Sequence, residues 1–163
     1  MDKDARQKGF TLLELLFTIA VAAIILSVGV PGFMNFINNN RAVTDTNDLV
    51  TAMNLGRSEA TRRGAPVVLC SSTNGADCDG GNDWSTGWVL RIPGGDVLRT
   101  WPARSGGAGT LQGDVSQLQF QARGAVSAGT VLRVRLPHCT GEQGRDIAIN
   151  GAGRVSVSRA DCG

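Results

Sequence analysis

The sequence predicts an α+β protein: a long N-terminal helix, membrane-spanning in its first half, with its second half packed on antiparallel β-sheet. Three observations carry this. Residues 8–33 are predominantly apolar, with Lys8 and Glu14 near their start, and no charge occurs between Leu15 and Asn40. Between Arg41 and Arg63 apolar residues return at helical spacing. From Val67 onward they come in short runs, several of them alternating, separated by Gly-rich turns.

The first element is long enough to cross a bilayer, which takes about 20 apolar residues at about 1.5 Å each. It carries one carboxylate near its start, Glu14. A charge in hydrocarbon costs roughly 2.5–3.5 kcal/mol on insertion scales, so such a residue is retained for a purpose. A secretory signal peptide would have a small-residue cut site after the apolar run. Ala20-Val21-Ala22 imitates one but lies inside the run, and Glu14 would spoil its core. A plain anchor leaves Glu14 unexplained.

The chain starts with a short charged leader, Met1 to Gly9, followed at once by Phe10-Thr11-Leu12-Leu13-Glu14. This segment resembles the type IV prepilin signature, in which a dedicated peptidase cuts after the glycine and methylates the new N-terminus. The resemblance implies cleavage between Gly9 and Phe10, with Glu14 fifth in the mature chain. It also implies that Glu14 meets the N-terminal amine of a neighbouring subunit during filament assembly. Pairing opposite charges in a low-dielectric bundle offsets the penalty each bears alone. Pro31 falls where pilins commonly carry a helix-bending proline, and proline removes one helical hydrogen bond. The organisation expected is a leader at 1–9, a transmembrane and assembly helix at 10–37, and a periplasmic domain at 38–163.

Beyond the polar Asn38-Asn39-Asn40, the residues Val43, Leu49, Val50, Met53, Gly56 and Ala60 predict one face of an amphipathic helix. Gly64 and Pro66 end it. Val67-Val68-Leu69-Cys70 reads as a buried strand. The segments 87–92 and 97–101 flank Pro93-Gly94-Gly95-Asp96 and read as a hairpin. Residues 103–116 are Gly- and Ser-rich and read as loop. Strands follow at 118–121 and 130–136, the latter turning Leu132, Val134 and Leu136 to the core and Arg133 and Arg135 away from it. Ile147-Ala148-Ile149 and Val155-Ser156-Val157 bracket the turn Asn150-Gly151-Ala152-Gly153.

Residues 55–63 with Val67-Val68-Leu69-Cys70 resemble the helix-to-first-strand junction of the GspH/FimT family. Gly87-Trp88, Ile147-Ala148-Ile149-Asn150 and Gly153-Arg154-Val155 resemble its later strands. The family comprises minor pilins of type IV pili and minor pseudopilins of type II secretion systems. The resemblance implies a subunit that primes or caps the pilus tip, with other minor and major pilins, the prepilin peptidase and the inner membrane as partners.

Without residues 1–9 the chain keeps 13 arginines against 12 carboxylates, a balance that does not advertise nucleic acid. The four cysteines are Cys70, Cys78, Cys139 and Cys162. None forms a Cys-x-x-Cys pair, which disfavours zinc, and His138 is the sole histidine. Outside the cytoplasm disulfides are expected, and of three possible pairings Cys70–Cys78 with Cys139–Cys162 is favoured. The acidic loop from Asp77 to Asp83 invites calcium, but Trp88 stands where an EF-hand needs glutamate. The glycines at 106–109 lack the strand–helix setting of a nucleotide site. No catalytic residue, metal or cofactor is expected, and the chain reads as a substrate of the peptidase rather than an enzyme.

Double-stranded DNA is the alternative partner. Residues 123–163 hold six arginines against Glu142, Asp146 and Asp161. Some FimT-like pilins bind DNA through a C-terminal Gly-Arg-x-Arg motif. Here Gly153-Arg154-Val155-Ser156 keeps only the first arginine. Arg159 is a substitute only if the strand turns after Val157, because an odd offset along a strand points to the opposite face. Arg133, Arg135, Arg154 and Arg159 are therefore the candidate DNA contacts.

Overall fold

The structure is a computed structural model that describes residues 10–104, 110–137 and 139–162. The chain divides between Phe36 and Ile37 into two compact units. Helix α1 (Leu12–Arg63) contributes to both.

In the first unit, apolar side chains such as Phe10, Leu13, Phe17, Ile24 and Phe33 are exposed on every side of the helix. The hydroxyls of Thr18 and Ser27 donate to the carbonyls of Leu15 and Ile24, each at 2.8 Å. These hydroxyls therefore need no outside partner, which suits them to hydrocarbon. Pro31 falls within α1, and its side chain lies outside the described residues.

In the second unit, α1 turns Ala42, Leu49, Ala52, Met53, Gly56 and Ala60 inward. Asp45 and Thr46 share that buried face. The sequence expects Val43 here instead, but Val43 is exposed. Stepping back seven residues from Leu49 reaches Ala42, and Val43 is turned a further 100° or so around the helix axis. At the C-terminus Arg62 and Arg63 both reach Glu59, at 2.6 and 2.9 Å. Gly64 then adopts φ 62°, and the Ala65 amide bonds back to the Ala60 carbonyl at 3.3 Å. This is a Schellman stop, which glycine adopts without a Cβ penalty.

The strands are β1 (Val67–Ser71), β2 (Trp88–Arg91), β3 (Val97–Trp101), β4 (Leu111–Gly113), β5 (Gln117–Phe120), β6 (Thr130–Val134), β7 (Gly144–Ile149) and β8 (Val155–Ala160). They form two four-stranded sheets, ordered β3-β2-β1-β5 and β4-β6-β7-β8, with every pairing antiparallel. The fold class is the one expected, but the strands split between two sheets. β4 also falls inside the expected loop at 103–116. Its single apolar residue, Leu111, is too little for a periodic signal, and its order comes from pairing with β6. The glycines at 106–109 lie outside the described residues.

Helix and both sheets close on one core, with Leu49, Met53, Leu69, Leu90, Trp88, Phe120, Leu132 and Ile147 fully buried. Fully burying a side chain of this size contributes about 1.5–3 kcal/mol. β1 is central and buried throughout, which fits its unbroken apolar run. On the outer face of the first sheet Val68, Cys70 and Val89 form a small second cluster with Cys78. In the β7–β8 turn Gly153 has φ 73°, and a Cβ there would lie 2.1 Å from the Gly124 carbonyl oxygen.

Candidate functional site

Two regions carry the functional residues predicted from sequence. The first is the head of α1. The Thr11 hydroxyl accepts a hydrogen bond from the Glu14 amide at 3.2 Å, capping the helix in the manner of an N-cap threonine. Phe10 is exposed, and Glu14 makes no ion pair within the described chain. Gly9 lies outside the described residues. A helix that is apolar all round and uncovered by its own chain must find lipid or other helices. The same stretch is long and apolar enough to cross a membrane.

The second region is the sheet β4-β6-β7-β8 with its arginines. Arg133 and Arg135 do share the face away from the core, opposite Leu132 and Val134. Neither is a free cation. Arg133 pairs with Asp114 at 2.5 Å, and Arg135 with Asp146 at 2.7 Å. The Arg133 hydrogen bond holds the Asp114 carboxyl below its ordinary pKa, and Asp114 in turn raises that of Arg133. Arg135 also donates to the carbonyls of Val134 and Arg145, both at 3.0 Å.

β8 continues straight through Val157, with unbroken register from Ile149↔Val155 to Gly144↔Ala160. No turn brings Arg159 towards Arg154. Arg159 stands opposite Arg145, on the side of the sheet that carries Ile147 and Ile149, and Arg154 precedes the strand at an odd offset. Both are exposed, but they do not converge. Arg145, counted from sequence with the basic group, is buried and turned inward. It donates to the carbonyls of Glu142, Gln143 and Gly144 at 3.2, 3.0 and 2.8 Å, and to Asn39 Oδ1 at 3.0 Å. It ties β7 to the helix.

The cysteines pair as Cys70–Cys78 and Cys139–Cys162. The first bond pins the loop that follows β1 over the small outer cluster, helped by Arg91 on Asp77 at 2.8 Å. The second ties the residues after β8 back beside β7. His138 lies outside the described residues, and among the described residues no cluster has the makings of a metal site.

One feature escapes sequence reasoning. Arg104, after β3, reaches Asp48 at 2.8 Å and Asp45 at 3.6 Å on the helix, and its guanidinium lies 4.2 Å from the Trp88 ring centroid. Burial raises the Asp45 carboxyl pKa, and Arg104 opposes that rise. The i, i+3 carboxylates of Asp45 and Asp48 were the available signal, but nothing in the sequence points them at Arg104.

Residues 45–153 match the family described as Type II transport protein GspH. The chain belongs to the GspH family. Residues 4–30 of this GspH-family protein match the prokaryotic N-terminal methylation motif. Crystal structures of the type IV minor pilin FimU from Pseudomonas aeruginosa share its fold. In one crystal form the TM-score is 0.61 at 20% identity, covering 78% of this chain and 99% of the crystallised FimU chain. In another it is 0.55 at 18% identity, covering 74% and 98%. The type IV major fimbrial protein FimA of Dichelobacter nodosus is 29% identical over 108 residues, which is 64% of this chain. The match spans 60% of the length of that relative. The type IV pilin fold expected from the sequence is thus the fold observed.

Proposed function

We propose that this protein is a minor type IV pilin, a structural subunit that helps prime or cap the pilus tip. The observation that carries the reading is an uncovered apolar helix headed by Glu14, whose first part lies within the matched methylation motif and which continues into a pilin-type domain. In this reading the prepilin peptidase cuts between Gly9 and Phe10 and methylates Phe10. The helix, residues 10–37, rests in the inner membrane, and residues 38–163 form the periplasmic domain. Extraction into a filament then pairs Glu14 with the N-terminal amine of a neighbouring subunit. That exchange moves a lone carboxylate from hydrocarbon to an ion pair, which favours assembly. The helix bends at Pro31 to fit the bundle. A fold relative described as a type IV minor pilin and a sequence relative described as a type IV major fimbrial protein support a type IV pilin reading.

The test is co-expression of the full chain with a prepilin peptidase and its pilins, followed by shearing of surface filaments. Mass spectrometry should find a methylated N-terminal phenylalanine in the sheared fraction. Glu14→Ala should be processed normally yet drop out of that fraction. Processing of a Gly9→Val chain, or undiminished incorporation of Glu14→Ala, would sink the reading. The description of the family as a type II transport protein supports a second reading, a minor pseudopilin. Recovery of the chain with secretion pseudopilins instead of pilins would select it.

A further inference from the structure

We propose that the outer edge of β8 is a strand-addition site, taken by an extended segment of a neighbouring filament subunit. The identity of the occupant rests on the pilin reading; the edge itself does not. In antiparallel sheet, alternate residues send both backbone groups to the same neighbour. The Asn150 amide donates to the Arg154 carbonyl at 3.1 Å, which makes 150 and 154 a bonded pair. In the observed register the next bonded pairs are Ala148 with Ser156, Asp146 with Ser158, and Gly144 with Ala160. Val155, Val157 and Arg159 therefore direct their N–H and C=O groups outward.

Nothing in the described chain takes up that outward row. β8 ends the sheet order, and no hydrogen bond from those three residues to a further element is formed among the described residues. Natural edges are blunted by proline, a bulge, shortness or an inward-pointing charge, and of these devices β8 has only the charge of Arg159. β8 has six residues, no proline and no shift of register. By contrast, the edge strand β3 of the other sheet pairs with β2 through a register shift at Leu90/Arg91.

The edge is also held ready. At one end the Asn150–Gly153 turn fixes its start, and at the other Cys162 is bonded to Cys139 and donates its amide to the Gly141 carbonyl at 3.1 Å. A strand anchored at both ends loses little freedom when a partner adds to it. A row of backbone donors and acceptors at this spacing is matched as a set only by another extended backbone. Side chains narrow the partner further. Val157 lies on the core side of the sheet yet is 47% exposed, leaving apolar surface for an added apolar residue. Arg159 lies on the same side, is exposed and has no carboxylate partner in the described chain. The complementary strand thus alternates, with an apolar residue and then a carboxylate on one face and small polar residues on the face of Ser156 and Ser158.

The test uses the full chain, labelled with nitrogen-15 in detergent micelles, and a peptide of about seven residues alternating serine with valine or glutamate. A control peptide carries lysine for glutamate. Saturation with the acidic peptide should slow amide exchange at Val155, Val157 and Arg159 by at least about ten-fold. Ser156 and Ser158, already bonded to β7, should not change. Val157→Pro, which removes only an outward amide, should abolish the protection. Arg159→Glu should transfer the preference to the lysine peptide. No protection, protection without this alternation, or equal effects of both peptides would overturn the edge site. Filament content is read in parallel by shearing. A wild-type chain absent from filaments but protected by the peptide would overturn the filament occupant and leave the edge standing.

Discussion

Phe120 occupies the space that a side chain on Gly56 would need: a Cβ built on Gly56 would lie 2.7 Å from Phe120 Cε2 and 3.1 Å from Leu90 Cδ1. The glycine costs the helix up to about 1 kcal/mol of intrinsic propensity. What it permits is the close approach of helix and sheet around a fully buried ring. Gly56→Ala should regain that propensity but overpack a filled core, at a cost of about 1–3 kcal/mol. The expected net result is a loss of stability in denaturant unfolding of the chain in detergent. A variant at least as stable as the wild type would show that Phe120 yields freely.

Arg104 separates a buried charge contact from a surface one. Its side chain is 11% exposed and that of Asp45 is 9% exposed, whereas that of Asp48 is 42% exposed. Arg104→Ala strands the Asp45 carboxylate in the interior and removes the guanidinium from Trp88. The expected loss is about 3–5 kcal/mol. Asp48→Asn weakens a pair with one exposed partner, so about 0–1 kcal/mol is expected. Equal costs for the two variants would refute this division of roles.

The same cluster sets a pH dependence of definite sign. The folded pKa of Asp45 is raised, chiefly by burial. The folded state therefore holds this proton more tightly than the unfolded state, and the associated stability fades as pH rises through the raised value. Asp77, Asp114 and Glu59 have lowered values, chiefly from hydrogen bonds donated by Arg91, Arg133 and Arg62. Their contributions are present above the unfolded values and fade as pH falls through the folded ones. Asp45→Asn should thus improve relative to the wild type as pH climbs from about 4 towards 7. Denaturation midpoints taken across that range, at one salt concentration, read the sign directly.

The outline of the fold was legible because its signals are local. The unbroken run Val67-Val68-Leu69-Cys70 and the alternation of Leu132, Val134 and Leu136 each report burial without reference to a partner. Gly153 marks its turn by conformation alone. β4 and the division of the strands into two sheets were not legible, because assigning β4 depends on Leu111 finding Val134, a contact that short Gly-rich sequence does not encode. The pairing of the arginines was hidden for a related reason. Counting charge treats Arg133, Arg135 and Arg145 alike, but two are neutralised by Asp114 and Asp146 and the third is turned inward by strand parity. Arg104 meeting Asp45 joins residues far apart in the chain, beyond any periodic pattern.

That neutralisation yields a prediction for DNA. With Arg133 and Arg135 paired, and Arg154 and Arg159 on different sides, the wild-type chain should bind duplex DNA weakly and with little salt dependence. Each phosphate contact would otherwise contribute a slope of about −0.9 in log affinity against log salt. Asp114→Asn with Asp146→Asn releases two arginines on one face. The slope should steepen by up to about 2. Strong, salt-sensitive binding by the wild type that is lost in Arg154→Ala would contradict this and favour a DNA-uptake role.

The two disulfides should differ in what their loss does. Cys70 and Cys78 are 8 residues apart, and Cys139 and Cys162 are 23 apart. Loop-closure entropy alone gives about 2.5 kcal/mol for the shorter loop and about 3.5 kcal/mol for the longer. The local consequences differ more than these figures. Cys70→Ser with Cys78→Ser uncovers Val68 and Val89, whose cover is the loop pinned by that bond. The core cluster contains neither cysteine and should survive. Cys139→Ser with Cys162→Ser releases the chain just after β8, so the C-terminal end of that strand should fray first. Amide exchange distinguishes the two. The first variant should show faster exchange confined to the β1–β2 loop, while the second should speed exchange at Ser158 and Ala160 and leave β1 slow. Uniformly faster exchange in both variants would mean that the bonds act only through the unfolded chain, with no local clamp at either site.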